Sequence, residues 1–153
     1  MRDSVITNPE TIEALKELYK ERGKLLHPRD IVETARNKFS PLHSYFEWED
    51  SVAAEKYRIE QARELLQKVY VKIQMPDGNM KMTQIFVSLI SDREKGGYRT
   101  LVDVLSNIEM RKQLIQDALR DMQIFTNKYN TLRELASVFS AIKKVKKKLV
   151  EVR

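Results

Sequence analysis

Cysteine is absent from the sequence, glycine and proline occur only four times each, and histidine occurs only twice. The lack of cysteine excludes a disulfide framework, a cysteine-ligated zinc site and a catalytic thiol. No apolar run approaches the roughly 20 residues that a membrane-spanning helix needs. No apolar core follows Arg2, as a secretory signal would require. We therefore expect a soluble protein of a reducing cytoplasm, with no membrane partner.

The positive charge is concentrated at one end of the chain. The net charge is +6, yet residues 1–76 carry 13 basic and 13 acidic side chains, whereas residues 77–153 carry 15 and 9. The stretch KKVKKKLVEVR at residues 143–153 alone holds six basic side chains and one acidic side chain. Such a block attracts polyanions through counterion release. Lysines near a helix C-terminus also complement the helix dipole and improve solubility, so both interpretations stay open.

Helix start signals divide the N-terminal half of the chain. Asn8 and His27 are each followed by proline, which is the arrangement of an N-cap and a first helical residue. The apolar spacing after each signal predicts an amphipathic helix. A third helix is predicted to begin at Asp50 or Ser51 and to end near Lys68.

The apolar period then changes from 3.6 to 2, which predicts a half-buried strand over residues 69–75. A proline- and glycine-containing turn at residues 76–79 leads into a second strand over residues 80–90. The apolar residues of this second strand change phase near Thr83, and a β-bulge is the simplest explanation.

Helical periodicity returns in the last third of the chain. Capping boxes at Ser106–Glu109 and Thr131–Glu134 predict two further helices. Gly96 and Gly97, in the loop before these helices, are predicted to be the most flexible point of the chain. The apolar spacing of the last helix continues into the lysine run, so we expect an amphipathic basic helix rather than a disordered arm.

The predicted fold class is mainly α with a β-hairpin. The order of three helices and a hairpin in residues 1–95 resembles a winged helix-turn-helix, with the third helix facing DNA and the hairpin as the wing. Residues 96–153 are predicted to form a helical C-terminal hairpin with a basic tail, packed with the first part in one compact unit. Against the winged helix, Glu47, Glu49 and Asp50 would bring carboxylates to the phosphates.

The segment SPLHSYFEWED (Ser40–Asp50) combines a histidine with hydroxyl and acidic side chains. No Gly-x-Ser-x-Gly motif positions a serine nucleophile beside His43. The other histidine, His27, lies at a helix start, whereas a metal site needs several ligands at suitable spacing. We expect the apolar side chains of this segment to close the three-helix core and its acids to cap the third helix. We predict no enzymatic activity, no cofactor and no metal site.

The segment from Ile31 to Leu66 resembles an uncharacterised family of phage and prophage proteins. The shared pattern is A-R, then S-P-L-H-x-x-F-E-W, then A-A-x-x-Y-R-x-x-Q-A-R. The matching positions are Ala35-Arg36, Ser40-Pro41-Leu42-His43, Phe46-Glu47-Trp48, Ala53-Ala54, Tyr57-Arg58 and Gln61-Ala62-Arg63. The likeness extends through Ser91–Arg99 into the helical tail. It implies a viral origin and no assigned activity, and small basic phage proteins of this kind resemble regulators, small terminase subunits and other DNA-handling factors.

Our first hypothesis is a non-enzymatic, phage-encoded DNA-binding protein, regulatory or DNA-handling, that acts in the host cytoplasm. RNA is not distinguished from DNA by these features, and a virion location stays open. The contacts would come from basic side chains of the tail and from arginines on or before the third helix: Lys143, Lys144, Lys146, Lys147, Lys148, Arg153, Arg36, Arg58 and Arg63.

The second hypothesis is a protein-interaction or virion-assembly component that forms a homo-oligomer through its C-terminal helices or binds a host or phage protein. One alternative also stays open for the arginines of the third helix. Arg58 lies within one helical turn of Glu55, and Arg63 within one turn of Glu60, so each arginine is either a surface ligand or part of an internal ion pair.

Overall fold

The computed structural model describes residues 5–49 and 52–151. The protein is mainly helical, with seven α-helices and two small antiparallel sheets in these residues, so the predicted mainly helical class with a β-hairpin is confirmed. Contacts along the chain define two compact units, Met1–Ile108 (unit 1) and Glu109–Arg153 (unit 2).

Unit 1 begins with three helices, α1 (Pro9–Glu21), α2 (Pro28–Ala35) and α3 (Val52–Lys68). The start signals of the first two helices are confirmed. Asn8 Oδ1 accepts a hydrogen bond from the Thr11 backbone at 3.1 Å, and the Asp30 carboxylate accepts one from the His27 backbone at 3.1 Å. The predicted start of the third helix at Asp50 or Ser51 lies outside the described residues.

The core of unit 1 is built from the apolar faces of these helices and from apolar side chains of the segments that connect and follow them. Its buried side chains are Ile12, Leu15, Leu18, Tyr19, Leu26, Ile31, Val32, Ala35, Leu42, Phe46, Ala62, Leu65, Leu66, Val69, Ile85, Phe86 and Tyr98. Apolar side chains three and four residues apart face one side of a helix, so the helical periodicity brings them together.

A β-hairpin follows α3. Its strands β1 (Tyr70–Gln74) and β2 (Met80–Gln84) pair in an unbroken register from Tyr70↔Gln84 to Gln74↔Met80. The predicted bulge at Thr83 is therefore wrong. The pairing continues in register to the Ile85 amide, which donates to the Val69 carbonyl at 3.1 Å, and the chain bends there.

The apolar phase changes because the chain changes partners at this bend. Strand β3 (Phe86–Val87) pairs with β4 (Arg99–Thr100) and not with β1. The prediction of a half-buried first strand also fails beyond Tyr70, because Val71 and Ile73 are both exposed at or above 36%.

Residues 96–108 pack with unit 1. These residues follow a short helix, α4 (Ile90–Arg93), and contain strand β4 and helix α5 (Leu101–Ser106). Tyr98 forms a β-bridge with Leu26, and Gly97, predicted to be part of a flexible loop, is buried. An alanine Cβ at Gly97 would lie 2.5 Å from a methyl carbon of Leu25, so the Leu25 side chain would have to shift to admit it.

An arginine–aspartate ion pair connects β4 to α4. Asp92 is buried, and the Arg99 guanidinium donates to its two carboxylate oxygens at 2.7 and 2.9 Å. This bidentate hydrogen bonding raises the pKa of Arg99 above its usual range and fixes the loop before β4.

Unit 2 consists of α6 (Ile108–Tyr129), whose first residue belongs to unit 1, a single 3₁₀ turn (Arg133–Leu135) and α7 (Ala136–Glu151). The rings of Phe125 and Phe139 lie 6.1 Å apart, and Lys146 donates to Gln123 at 3.2 Å, so α6 and α7 face each other as a helical hairpin. Among the described residues of unit 2, no apolar side chain is fully buried.

Candidate nucleic-acid interface

The five tail lysines lie on α7, and all of them are exposed: Lys143, Lys144, Lys146, Lys147 and Lys148. The helical tail predicted from the sequence is thus present as far as Glu151. Arg153, the remaining predicted tail contact, lies outside the described residues. A helix holds these ammonium groups in a fixed pattern, which a disordered arm would not do.

The lysines occupy the side of α7 that does not contact α6. Leu135, Phe139 and Ile142 are half-buried, as their spacing of four and three residues requires for one helix face. Lys143 and Lys147 lie one turn apart on another face. Lys146 is the exception, because it lies near the α6 side and donates to Gln123.

Three of the five α7 lysines are not neutralised by any acidic side chain that the structure describes. In the residues that the structure describes, no carboxylate pairs with Lys143, Lys144 or Lys148. Unpaired ammonium groups at successive turns of an exposed helix create a local positive potential that attracts phosphates and releases counterions.

Arg58 is not part of any exposed surface. Its side chain is only 3% exposed. Its Nε donates to the Glu47 carbonyl at 2.9 Å, and its terminal nitrogens donate to the Glu49 carbonyl at 3.4 Å and to the Glu55 carboxylate at 3.3 Å. Arg58 therefore belongs to the second alternative, an internal ion pair, and we remove it from the candidate nucleic-acid contacts.

Trp48 packs against Arg58, and His43 packs against Trp48. The guanidinium carbon of Arg58 lies 5.1 Å from the centre of the Trp48 ring. The His43 ring stacks on Trp48 with centroids 4.9 Å apart and an interplanar angle of 6°. Trp48 Nε1 donates to the His43 carbonyl at 3.0 Å, while Nδ1 of His43 lies 2.7 Å from the Ala35 carbonyl.

The Ser40–Asp50 segment is thus a structural element, as far as the structure describes it. Leu42 and Phe46 are buried in the core, which confirms the interpretation that this segment closes the three-helix core. Glu47 and Glu49 accept hydrogen bonds from Arg58 through their backbone carbonyls, while their side chains are exposed. The Glu47 carboxylate accepts from the Trp48 amide at 3.1 Å.

Arg36 remains on the surface but is already paired. Its guanidinium donates to the Glu55 carboxylate at 2.8 Å and lies 5.9 Å from the centre of the Trp48 ring. An arginine in this position would have to exchange a carboxylate for a phosphate, so its net contribution to binding is reduced.

Arg63 borders a hollow of about 380 Å³ on unit 1, together with Arg29 and Lys95. Arg63 forms an ion pair with Glu60 and is 43% exposed, so its other donors reach solvent. His27 borders the same hollow, with Nδ1 2.8 Å from the Lys95 carbonyl. Sequence reasoning missed Arg29 and Lys95, because residues so far apart in the chain give no joint signal.

In the described ranges, no group of three or more histidine, aspartate or glutamate side chains is placed to hold a metal ion. Helices long and apolar enough to cross a membrane are also absent from these ranges. Comparison of the chain with protein-family models, with curated proteins and with solved structures gives no match.

Proposed function

We propose that the protein is a non-enzymatic DNA-binding protein of phage or prophage origin, which contacts the phosphates of DNA through helix α7. The observation that carries this proposal is the set of exposed lysines on α7, three of which have no carboxylate partner among the described residues. Contacts of this kind depend on charge and not on base sequence, so we expect steep salt dependence and weak sequence preference.

The winged helix-turn-helix is a finer proposal for unit 1. The order of α1, α2, α3 and a β-hairpin supports it. Because the Arg58 side chain is buried, α3 lacks one of the arginines that a DNA-recognition helix would present to bases. Within unit 1 we therefore place the supporting phosphate contacts at the hollow bordered by Arg29, Arg63 and Lys95.

A gel-shift experiment on random-sequence duplex DNA tests the proposal. One variant carries glutamine at the five tail lysines. A matched variant carries glutamine at five lysines of unit 1 that lie outside the β-hairpin and the hollow: Lys16, Lys20, Lys24, Lys38 and Lys56. Both variants lose the same net charge. We expect binding to weaken about tenfold or more only in the tail variant. Equal weakening in both variants would mean that overall charge, and not α7, attracts the DNA.

The second candidate function is assembly, and the surface of unit 2 favours it. Exposed apolar side chains occur on both helices: Ile115, Met122, Ile124, Phe125, Val138, Val145 and Leu149. A helix pair that leaves this much apolar surface in water is typical of a protein that associates with another. This function predicts stable oligomers and no salt-sensitive retention on DNA.

A further inference from the structure

Unit 1 contains an apolar groove that no function proposed above uses. The groove has a volume of about 440 Å³ and lies between α1, one face of the β-hairpin and α5. A volume of this size is in the range of ligand-binding clefts.

The β-hairpin contributes part of one face to the groove. Val71 and Thr83 are directly paired across the two strands, and Ile73 lies two residues further on the same side. Alternate residues of a strand point to the same face, so these side chains form one wall. Val102 and Leu105 of α5 form another wall.

Lysines of α1 form the third side. Lys16 and Lys20 are four residues apart, so they stand one helical turn from each other along the groove. No carboxylate pairs with either of them in the described residues. Lys24, beyond the end of α1, also borders the groove, but its ammonium lies 3.6 Å from the Asp103 carboxylate.

We propose that this groove binds an amphipathic helix of a partner protein, with the apolar face of that helix on the groove walls and its acidic residues beside Lys16 and Lys20. The spacing of the two lysines equals one turn of a helix, so acids at successive turns of the partner would meet them. Helix-in-groove binding of this kind uses apolar anchors for affinity and flanking charges for orientation. The proposal does not depend on DNA binding by α7.

The exposure of the walls favours a helix over a small amphiphile such as a fatty acid. Val102 is 76% exposed and Ile73 is 39% exposed. A cleft built for a small molecule buries roughly 70–90% of its ligand's surface. A single hydrocarbon chain against such open walls would stay in contact with water, whereas a helix about 10 Å wide would cover both walls.

Fluorescence anisotropy with two synthetic peptides tests the proposal on the full chain. The first is a labelled helix of about four turns with a leucine face flanked by glutamates, and the second is its twin with lysine at each glutamate position. We expect wild type to bind the glutamate peptide about tenfold or more tightly than the lysine peptide. The double variant K16E/K20E should reverse this preference.

Substitutions at exposed positions keep the test independent of folding. Val102→Glu should weaken binding of the glutamate peptide about tenfold, because it places a charge on an apolar wall. The same change at Val138, an exposed valine of unit 2, should leave binding unchanged. Equal binding of both peptides, or unchanged binding by the V102E variant, would overturn the proposal. So would oleate that binds this groove while neither peptide does.

Discussion

Arg58 shows that a basic residue of a basic protein can belong to its interior. A buried guanidinium is stable only when carbonyls, carboxylates or aromatic rings replace the water that it has lost. Here the carbonyls of Glu47 and Glu49 and the carboxylate of Glu55 accept its hydrogen bonds, and Trp48 covers its face. The arginine thereby fixes the irregular segment between α2 and α3.

Replacement of Arg58 by methionine should lower the free energy of unfolding by about 2–4 kcal/mol. Methionine keeps much of the side-chain volume but leaves the Glu47 and Glu49 carbonyls without their donor. Urea unfolding followed by circular dichroism measures the change. Trp48 fluorescence should report a loosened segment, because the tryptophan lies against the guanidinium.

Arg63 supplies the matched control for this prediction. It lies on the same helix and is also paired with a glutamate three residues earlier, but it is 43% exposed. Exposed pairs of this type contribute about 0–1 kcal/mol, so Arg63→Met should change stability little. If the two substitutions cost the same, Arg58 is not the structural residue described above.

Tyr19 and Asp103 form a second polar contact with a consequence for acid stability. The Tyr19 hydroxyl donates to the Asp103 carboxylate at 2.8 Å. This hydrogen bond lowers the pKa of Asp103 below its usual range, with Lys24 adding to the effect, while burial and the same bond raise the pKa of Tyr19. A lowered carboxyl pKa stabilises the folded state above the unfolded pKa, and this stabilisation is lost as the pH falls through the folded pKa.

We therefore expect Asp103→Asn to cost about 1 kcal/mol at neutral pH, with the difference from wild type disappearing as the pH falls through the lowered pKa of Asp103. Urea midpoints between pH 2 and 7 measure this convergence. Tyr19→Phe should raise the pKa of Asp103 toward its usual range, which NMR titration of the carboxyl group can follow. A constant difference between Asp103→Asn and wild type over this pH range would contradict the account.

Among the elements, the helical hairpin of α6 and α7 buries its apolar side chains least. Val138 and Val145 are seven residues apart on α7, as are Ile115 and Met122 on α6, and all four side chains are exposed at or above 36%. A seven-residue apolar spacing is the pattern of helices that pack lengthwise. Two hairpins from two copies of the chain would bury these side chains in a four-helix bundle.

The double variant V138E/V145E should accordingly convert a dimer into a monomer, because it places two charges per chain in the proposed interface. Sedimentation equilibrium at about 1–100 µM measures the shift, which we expect to exceed about 100-fold in the dissociation constant. Val102→Glu, the same change in unit 1, is the control and should leave the dimer intact. A wild-type chain that stays monomeric over this range would eliminate the assembly function in its homo-oligomeric form.

The elements that the sequence predicted well are those with local signals. Asn8 and His27 start helices through interactions within three residues, and the turn after β1 likewise depends on neighbouring residues. The change of strand partner at Ile85 could not be predicted, because it depends on the pairing of β3 with a strand twelve residues away in the chain. For Arg58 the sequence left two alternatives open, a surface ligand and an internal ion pair, because its main acceptors are carbonyls of an irregular segment.

On the scale of the whole molecule, charge and buried apolar side chains are distributed unequally between the two units. Unit 1 contains the buried apolar cluster, whereas unit 2 contains the α7 lysines and, in its described residues, no fully buried apolar side chain. We interpret unit 1 as a folded unit with its own groove, and we propose that the α7 lysines of unit 2 contact a polyanion. The phage origin implied by the Ile31–Leu66 resemblance stays a prediction.

The salt dependence of DNA affinity tests the central claim most directly. The logarithm of the association constant should fall linearly with the logarithm of the salt concentration, with a slope of about −0.9 for each phosphate contact. We predict a slope of about −3 to −5 for wild type, and the variant with glutamine at the five α7 lysines should lose most of it. The unit 1 lysine variant should keep the wild-type slope. A slope that is the same in wild type and the α7 variant would contradict the account, because α7 would then make no phosphate contact.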